Sequence, residues 1–181
     1  MWKLLAVIVI MGFCLIVYFQ DGSPSKNTQS SPSTNSSTTD WHNPRFACSI
    51  FSDIDGMQTS GYKQDYGDRY ICLSPYKEFD EGFPLKNNLA YYVTGTAKEA
   101  KELKLVLNVH VAAYASGAHE VLLSTTRLLV MKSLGVPLPD QIKDAILAGK
   151  SGEWKIEKSK IGLARSDWET GKGYDLKLRI Q

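Results

Sequence analysis

Between Lys101 and Tyr114 the chain reads KELKLVLNVHVAAY, with Leu103, Leu105, Leu107, Val109, Val111 and Ala113 on every odd position. A side-chain period of two belongs to a β-strand, so residues 101–114 are expected to form one strand with a buried face. The other face holds Glu102, Lys104, Val106, Asn108, His110 and Ala112, the half-polar composition of a wetter sheet side. A strand of this kind must be paired with neighbours and covered on one face.

The flanking segments supply partners. Residues 69–73, RYICL, read as a short strand stopped by Ser74 and Pro75. Residues 89–94, LAYYVT, are rich in strand formers, and residues 95–100 return the chain, so 89–94 and 102–112 should form a hairpin. The polar, glycine-containing stretch 61–68 reads as a loop. Residues 76–88 read as irregular, with Phe79, Phe83 and Leu85 tucked inward and Pro84 unable to join a ladder. Residues 45–51, RFACSIF, are apolar on both parities and fit a strand or a short helix. Asp53-Ile54-Asp55-Gly56 then reads as a turn, because Ser60 and Tyr62 stand where a calcium loop would need further oxygen ligands.

After Tyr114 the period lengthens to about three and a half. Ser116 is a candidate cap, His119 and Glu120 fall in the first turn, and Val121, Leu122, Leu128 and Leu129 mark a helix stripe widened by Leu123, Val130, Met131 and Leu134. Gly135 ends it, Pro137 and Pro139 enforce a break, and residues 140–148 form a second helix burying Ile142, Ala145 and Ile146 before Gly149. The remainder alternates again: Trp154 and Ile156, then Ile161 and Leu163, then Tyr174, Leu176, Leu178 and Ile180 after a turn at residues 170–173. The expected fold is α+β, a mostly antiparallel sheet packed on two helices.

The amino-terminal forty residues belong to a different class. Leu4 and Phe19 bound a run of residues without charge, about 24 Å long as a helix, which with Trp2 and Gln20 as flanks is a short membrane span. Bulky Tyr18 and Phe19 stand where signal cleavage would require small residues, so residues 1–20 read as an uncleaved signal anchor. Cys14 follows Phe13 rather than a small residue and reads as a membrane-buried thiol rather than a lipid attachment site. Lys3 places the amino terminus in the cytoplasm by the positive-inside rule, which puts the rest in the periplasm or an equivalent exported compartment, held at the inner (cell) membrane. Residues 21–40 are almost wholly Ser, Thr, Asn, Pro and Gly and read as a disordered tether; Asn35-Ser36-Ser37 matches the glycosylation pattern by chance composition. The globular domain is then residues 41–181. In an oxidising compartment Cys48 and Cys72, the two cysteines of that domain, are expected to form a disulfide.

A net charge of +2 argues against a nucleic-acid partner. Lys155, Lys158, Lys160, Lys177 and Arg179 gather near the last strands, but Glu153, Glu157 and Asp175 interleave with them, the pattern of a solvated mixed-charge face. Of the histidines, His42 follows the tether, His110 lies in the strand beside Asn108, and His119 opens a helix. His119-Glu120 lacks the second histidine of a zinc-peptidase helix, since Leu123 and Ser124 stand where it would fall, and no cofactor or metal is expected. Asn108 and His110 share a strand face and are the candidate ligand-binding pair. The expectation is a non-catalytic binding or accessory module for an envelope protein or component. The alternatives are a hydrolase using His110 or His119 with a carboxylate brought in by folding, and a structural subunit of an envelope assembly.

Overall fold

The structure, a computed structural model, describes residues 40–181. The expected membrane span and nearly all of the tether therefore lie outside the described residues, and the cysteine of that segment with them.

Helix α1, Pro44–Ser49, settles the segment that was apolar on both parities. The reason is local: Asn43 Oδ1 accepts the N–H groups of Arg45 and Phe46, and Pro44 occupies the first turn, where its missing N–H costs nothing. The turn at residues 53–56 follows. There Asp53 accepts a hydrogen bond from Lys132 Nζ at 2.7 Å, which holds its carboxyl below the ordinary range.

A single sheet comes next: β1 Lys63–Tyr66, β2 Arg69–Leu73, β3 Lys77–Phe79, β4 Asn87–Gly95 and β5 Ala100–Val109, then β6 Gly152–Ile156, β7 Ser159–Asp167 and β8 Tyr174–Ile180 after the helices. Its order is β1-β2-β4-β5-β8-β7-β6, with β3 beside β4, and every pairing among the described residues is antiparallel. The β4–β5 hairpin has the expected register, Leu89 opposite Leu107 and Val93 opposite Leu103. Residues 61–68, expected as a loop, contain β1. All four β1 side chains are exposed, so nothing in their polarity marks a strand that backbone pairing alone creates.

The long strand stops at Val109, short of the expected Tyr114, because buried Asn87 captures its next two amides. Asn87 Oδ1 accepts the N–H of His110 at 2.7 Å and of Val111 at 2.9 Å, which draws the backbone off the ladder and into a 3-10 turn, Ala112–Tyr114. Helix α2, Ala115–Leu134, begins one residue before the expected cap Ser116 and ends at left-handed Gly135, as anticipated. Its buried stripe is Ala118, His119, Leu122, Leu123, Thr126, Leu129, Val130 and Ser133, whereas Leu128 and Met131, expected inside, are exposed. Helix α3, Asp140–Ala148, has the expected bounds and buries Ile142 and Ile146.

The core lies on the odd face of β5. Leu103, Leu105, Leu107 and Val109 join Leu89, Tyr91 and Val93 of β4, Leu176, Leu178 and Ile180 of β8, and the buried apolar residues of all three helices in one cluster. Helix α2 packs on β4 and β5, α3 on α2 and β6. Ala90 and Val106 of the opposite face stand outside that cluster. The fold is α+β, an antiparallel sheet with helices on one face and the other face open.

Cys48 and Cys72 form a disulfide joining α1 to β2. Tyr91 reinforces the same junction by donating its buried hydroxyl to the Ala47 carbonyl at 2.9 Å, and its ring meets Phe51 edge-on.

Candidate functional site

Strand direction sorts the connections into two ends. Residue 40 and the turns after β1, β4 and β6 lie at one end, which we call proximal: Ala100 N–H donates to the His42 carbonyl at 2.8 Å, pinning the first described residues beside the β4–β5 turn. The other, distal end collects residues 80–86, the junction 110–114 after β5 and the β7–β8 turn, since Asn87, Val109, Tyr174 and Asp167 all end their strands there.

The distal end is where Asn108 and His110 are found. Asn108 Nδ2 donates to Asn88 Oδ1 at 2.8 Å, and Asn88 Nδ2 lies 3.3 Å from His110 Nε2, so both sequence-derived candidates meet through a third residue, Asn88, from the neighbouring strand. The Trp168 ring packs on His110 with centroids 4.8 Å apart. Across β4, β5, β8 and β7 the register aligns Asn88, Asn108, Asp175 and Ser166 in one polar row on the open face. Side chains in such a row stand about 5 Å apart, a ladder of amide, carboxylate and hydroxyl groups for hydrogen bonding.

The distal end also exposes large apolar residues, of which sequence reading placed Phe83 and Leu85 inside. Phe83 is 92% exposed, Leu85 57% and Tyr114 44%. The loop carrying the first two is held in shape: Asp80 takes a left-handed conformation and accepts the Gly82 N–H at 2.9 Å, while a Cβ on Gly82 would lie only 2.8 Å from Val111 Cγ2. With the backbone seated against Val111, the side chains of Phe83 and Leu85 are left outward. Phe79, on β3, was expected inside with them and does pack against the core.

His119 serves the fold. It is buried between α2, α3 and β8, with Nδ1 2.9 Å from the Leu147 carbonyl and Nε2 2.7 Å from the Tyr174 hydroxyl. A carbonyl only accepts, so Nδ1 carries a proton, and the tyrosine completes the ring's hydrogen bonding. Burial raises the Tyr174 hydroxyl above its usual range against the opposing pull of Arg165, whose guanidinium lies 3.7 Å from the Tyr174 ring centre and is fixed to Asp167 at 2.7 Å. Among the described residues neither His110 nor His119 has a carboxylate as hydrogen-bond partner. The histidine near one is His42, 3.8 Å from Glu99 at the surface. No group of three or more His, Cys, Asp or Glu among the described residues is placed to hold a metal. A groove of about 720 Å³ lies between α1, residues 58–62 and Ala97, and neither His110 nor His119 lines it.

Sequence reasoning identified Asn108 and His110 by shared parity but missed Asn88, Asn87 and Trp168. Asn87-Asn88 at a strand start carried one available signal, since amides next to a hairpin partner can cross-link it. Fold and site together define an α+β domain with a one-sided core and a polar and aromatic distal end. No family model matches the chain, and neither the curated proteins nor the solved structures contain a match to it.

Proposed function

We propose that this chain is a non-catalytic binding or accessory module for an envelope protein or component, anchored in the inner membrane by residues 4–19 with its amino terminus cytoplasmic and residues 41–181 periplasmic. One observation carries the reading. The first described residues attach at the proximal end, and the opposite end exposes Phe83, Leu85 and Tyr114 and also carries the Asn88–Asn108–His110 network. Large exposed apolar side chains together with polar groups are the usual composition of a protein-docking surface. The Cys48–Cys72 disulfide supports the oxidising compartment. Tethering adds to the case, because a module held near the membrane meets membrane partners at raised effective concentration. The hydrolase reading has less to stand on, because His119 is engaged by Leu147 and Tyr174, and His110 by Asn88 and Trp168.

The test is crosslinking of the full chain in native membranes, comparing the unaltered protein with a Phe83→Asp, Leu85→Asp double variant. The reading predicts a discrete partner adduct that the variant loses while its unfolding midpoint stays unchanged. An undiminished adduct, or adducts of the chain with itself alone, would overturn it. A domain untouched by protease added to spheroplasts would overturn its placement.

A further inference from the structure

We infer that the open sheet face between β5 and β6 docks on an anionic phospholipid surface through Lys104, Lys155, Lys160, Lys177 and Arg179. This inference rests on the membrane-anchored reading above and gives that anchored domain a lipid contact of its own.

The register supplies the main observation. Lys104 is directly opposite Arg179, and Lys155 is directly opposite Lys160. Like charges facing each other across an antiparallel pair repel and are ordinarily avoided. Here two such pairs share one face, with Lys177 two residues from Arg179 on β8.

The acids present do not neutralise this arrangement evenly. Asp175 lies 3.0 Å from Lys177 and Glu153 3.0 Å from Lys160, which are close ion pairs. Glu102 is shared between Lys104 at 3.8 Å and Arg179 at 3.9 Å, too far for a hydrogen bond to either, and its Oε2 accepts the Gln181 amide at 2.9 Å. Lys155 has no ion-pair partner among the described residues. Burial, together with the cations Arg179, Arg69 and Lys177, pulls the Lys104 ammonium below its usual range in spite of Glu102. An external anion relieves both repulsive pairs.

Position on the fold identifies the anion's source. Lys104, Arg179, Lys155 and Lys160 occupy the proximal half of the sheet, the end to which residue 40 is pinned. A domain pinned at that end presents the cationic, proximal half of its open face to an anionic bilayer. Each Lys or Arg near such a surface adds roughly fivefold to binding, and salt screens the attraction.

The experiment places the full chain in vesicles of phosphatidylcholine alone or with phosphatidylglycerol and measures the rate at which an amine-reactive reagent modifies each lysine. Anionic vesicles are expected to slow labelling of Lys104, Lys155, Lys160 and Lys177 about threefold or more relative to Lys86 and Lys172, and high salt should abolish the difference. A double variant, Lys155→Glu with Arg179→Glu, converts both repulsive pairs into attractive ones. It should lose the protection of the remaining lysines and unfold at a temperature no lower than the parent. Equal labelling in both lipids would overturn the inference. Equal protection when inorganic phosphate is added to neutral vesicles would also overturn it, by showing a small-anion site instead. A chain that fails to float with any vesicle would refute the anchor itself, whereas a chain that floats without lysine protection refutes only the lipid-facing surface.

Discussion

The two ends of the sheet are built from the same strands and solve opposite problems. At the proximal end the connections are short, the first described residues are tied down by the His42–Ala100 hydrogen bond, and the side chains on the open face are mostly charged. At the distal end the connections are long and a buried amide, Asn87, holds the junction between β5 and α2. Large apolar residues there face outward. The difference teaches where specificity resides: charged strand residues give a diffuse attraction, while a loop pinned by Asp80 and Val111 can present a shaped apolar surface.

The most severe way to break this comparison is to remove the sheet that separates the ends. Leu105 and Leu107 are fully buried, so Leu105→Asp or Leu107→Asp should unfold the domain, at a cost of roughly 4 kcal/mol or more for an unpaired buried charge. Lys104→Met, on the adjacent open face, should shift stability by about 0.5 kcal/mol or less. Denaturant unfolding followed by circular dichroism distinguishes these outcomes, and equal tolerance at both positions would mean that the buried face is misassigned.

Replacing Cys48 and Cys72 by Ala opens the loop that joins α1 to β2, and should cost about 3 kcal/mol on the chain-entropy account. The check is the same unfolding curve for the oxidised parent and the variant.

Asn87→Ala sharpens the comparison from the distal side. It strips the acceptor from two backbone amides, an expected loss of about 2–3 kcal/mol. Hydrogen exchange should accelerate at His110 and Val111 while amides of the β6–β7 turn stay unchanged. Acceleration spread equally over both ends would show that Asn87 supports the whole domain rather than its distal junction.

The smallest effect concerns acid. The Asp53 carboxyl is held below its ordinary value of 3.8 chiefly by the hydrogen bond from Lys132. Its folded value is the lower one, so its contribution is complete above the unfolded value and fades as pH falls through the folded value. Lys132→Met should therefore flatten the acid limb of a stability-versus-pH curve slightly below about pH 4.

What the sequence revealed and what it hid follow one physical line. The β4–β5 hairpin, α3 and β8 were legible because each buries a single face, and alternation or a glycine stop records that burial in composition. Strand β1 was hidden because all its side chains are exposed and its pairing is made by backbone alone. The α2 stripe was misread where polar residues are buried: Ser133 returns its hydroxyl to the Leu129 carbonyl, and His119 finds partners on α3 and β8 that no local pattern announces. Phe83 and Leu85 were placed inside because hydrophobicity states a preference for burial and not the side of the loop that folding leaves outward. In the candidate site, Asn108 and His110 were visible as one strand face, but Asn88 comes from β4 and Trp168 from the β7–β8 turn, and only the strand register brings them there.

The opposition of the two ends can be measured with a photo-crosslinking residue placed in the full chain in native membranes, once at Phe83 and once at Lys155. The account predicts a protein adduct from position 83 and a lipid adduct from position 155. The same set of adducts from both positions, or a lipid adduct from position 83, would contradict it.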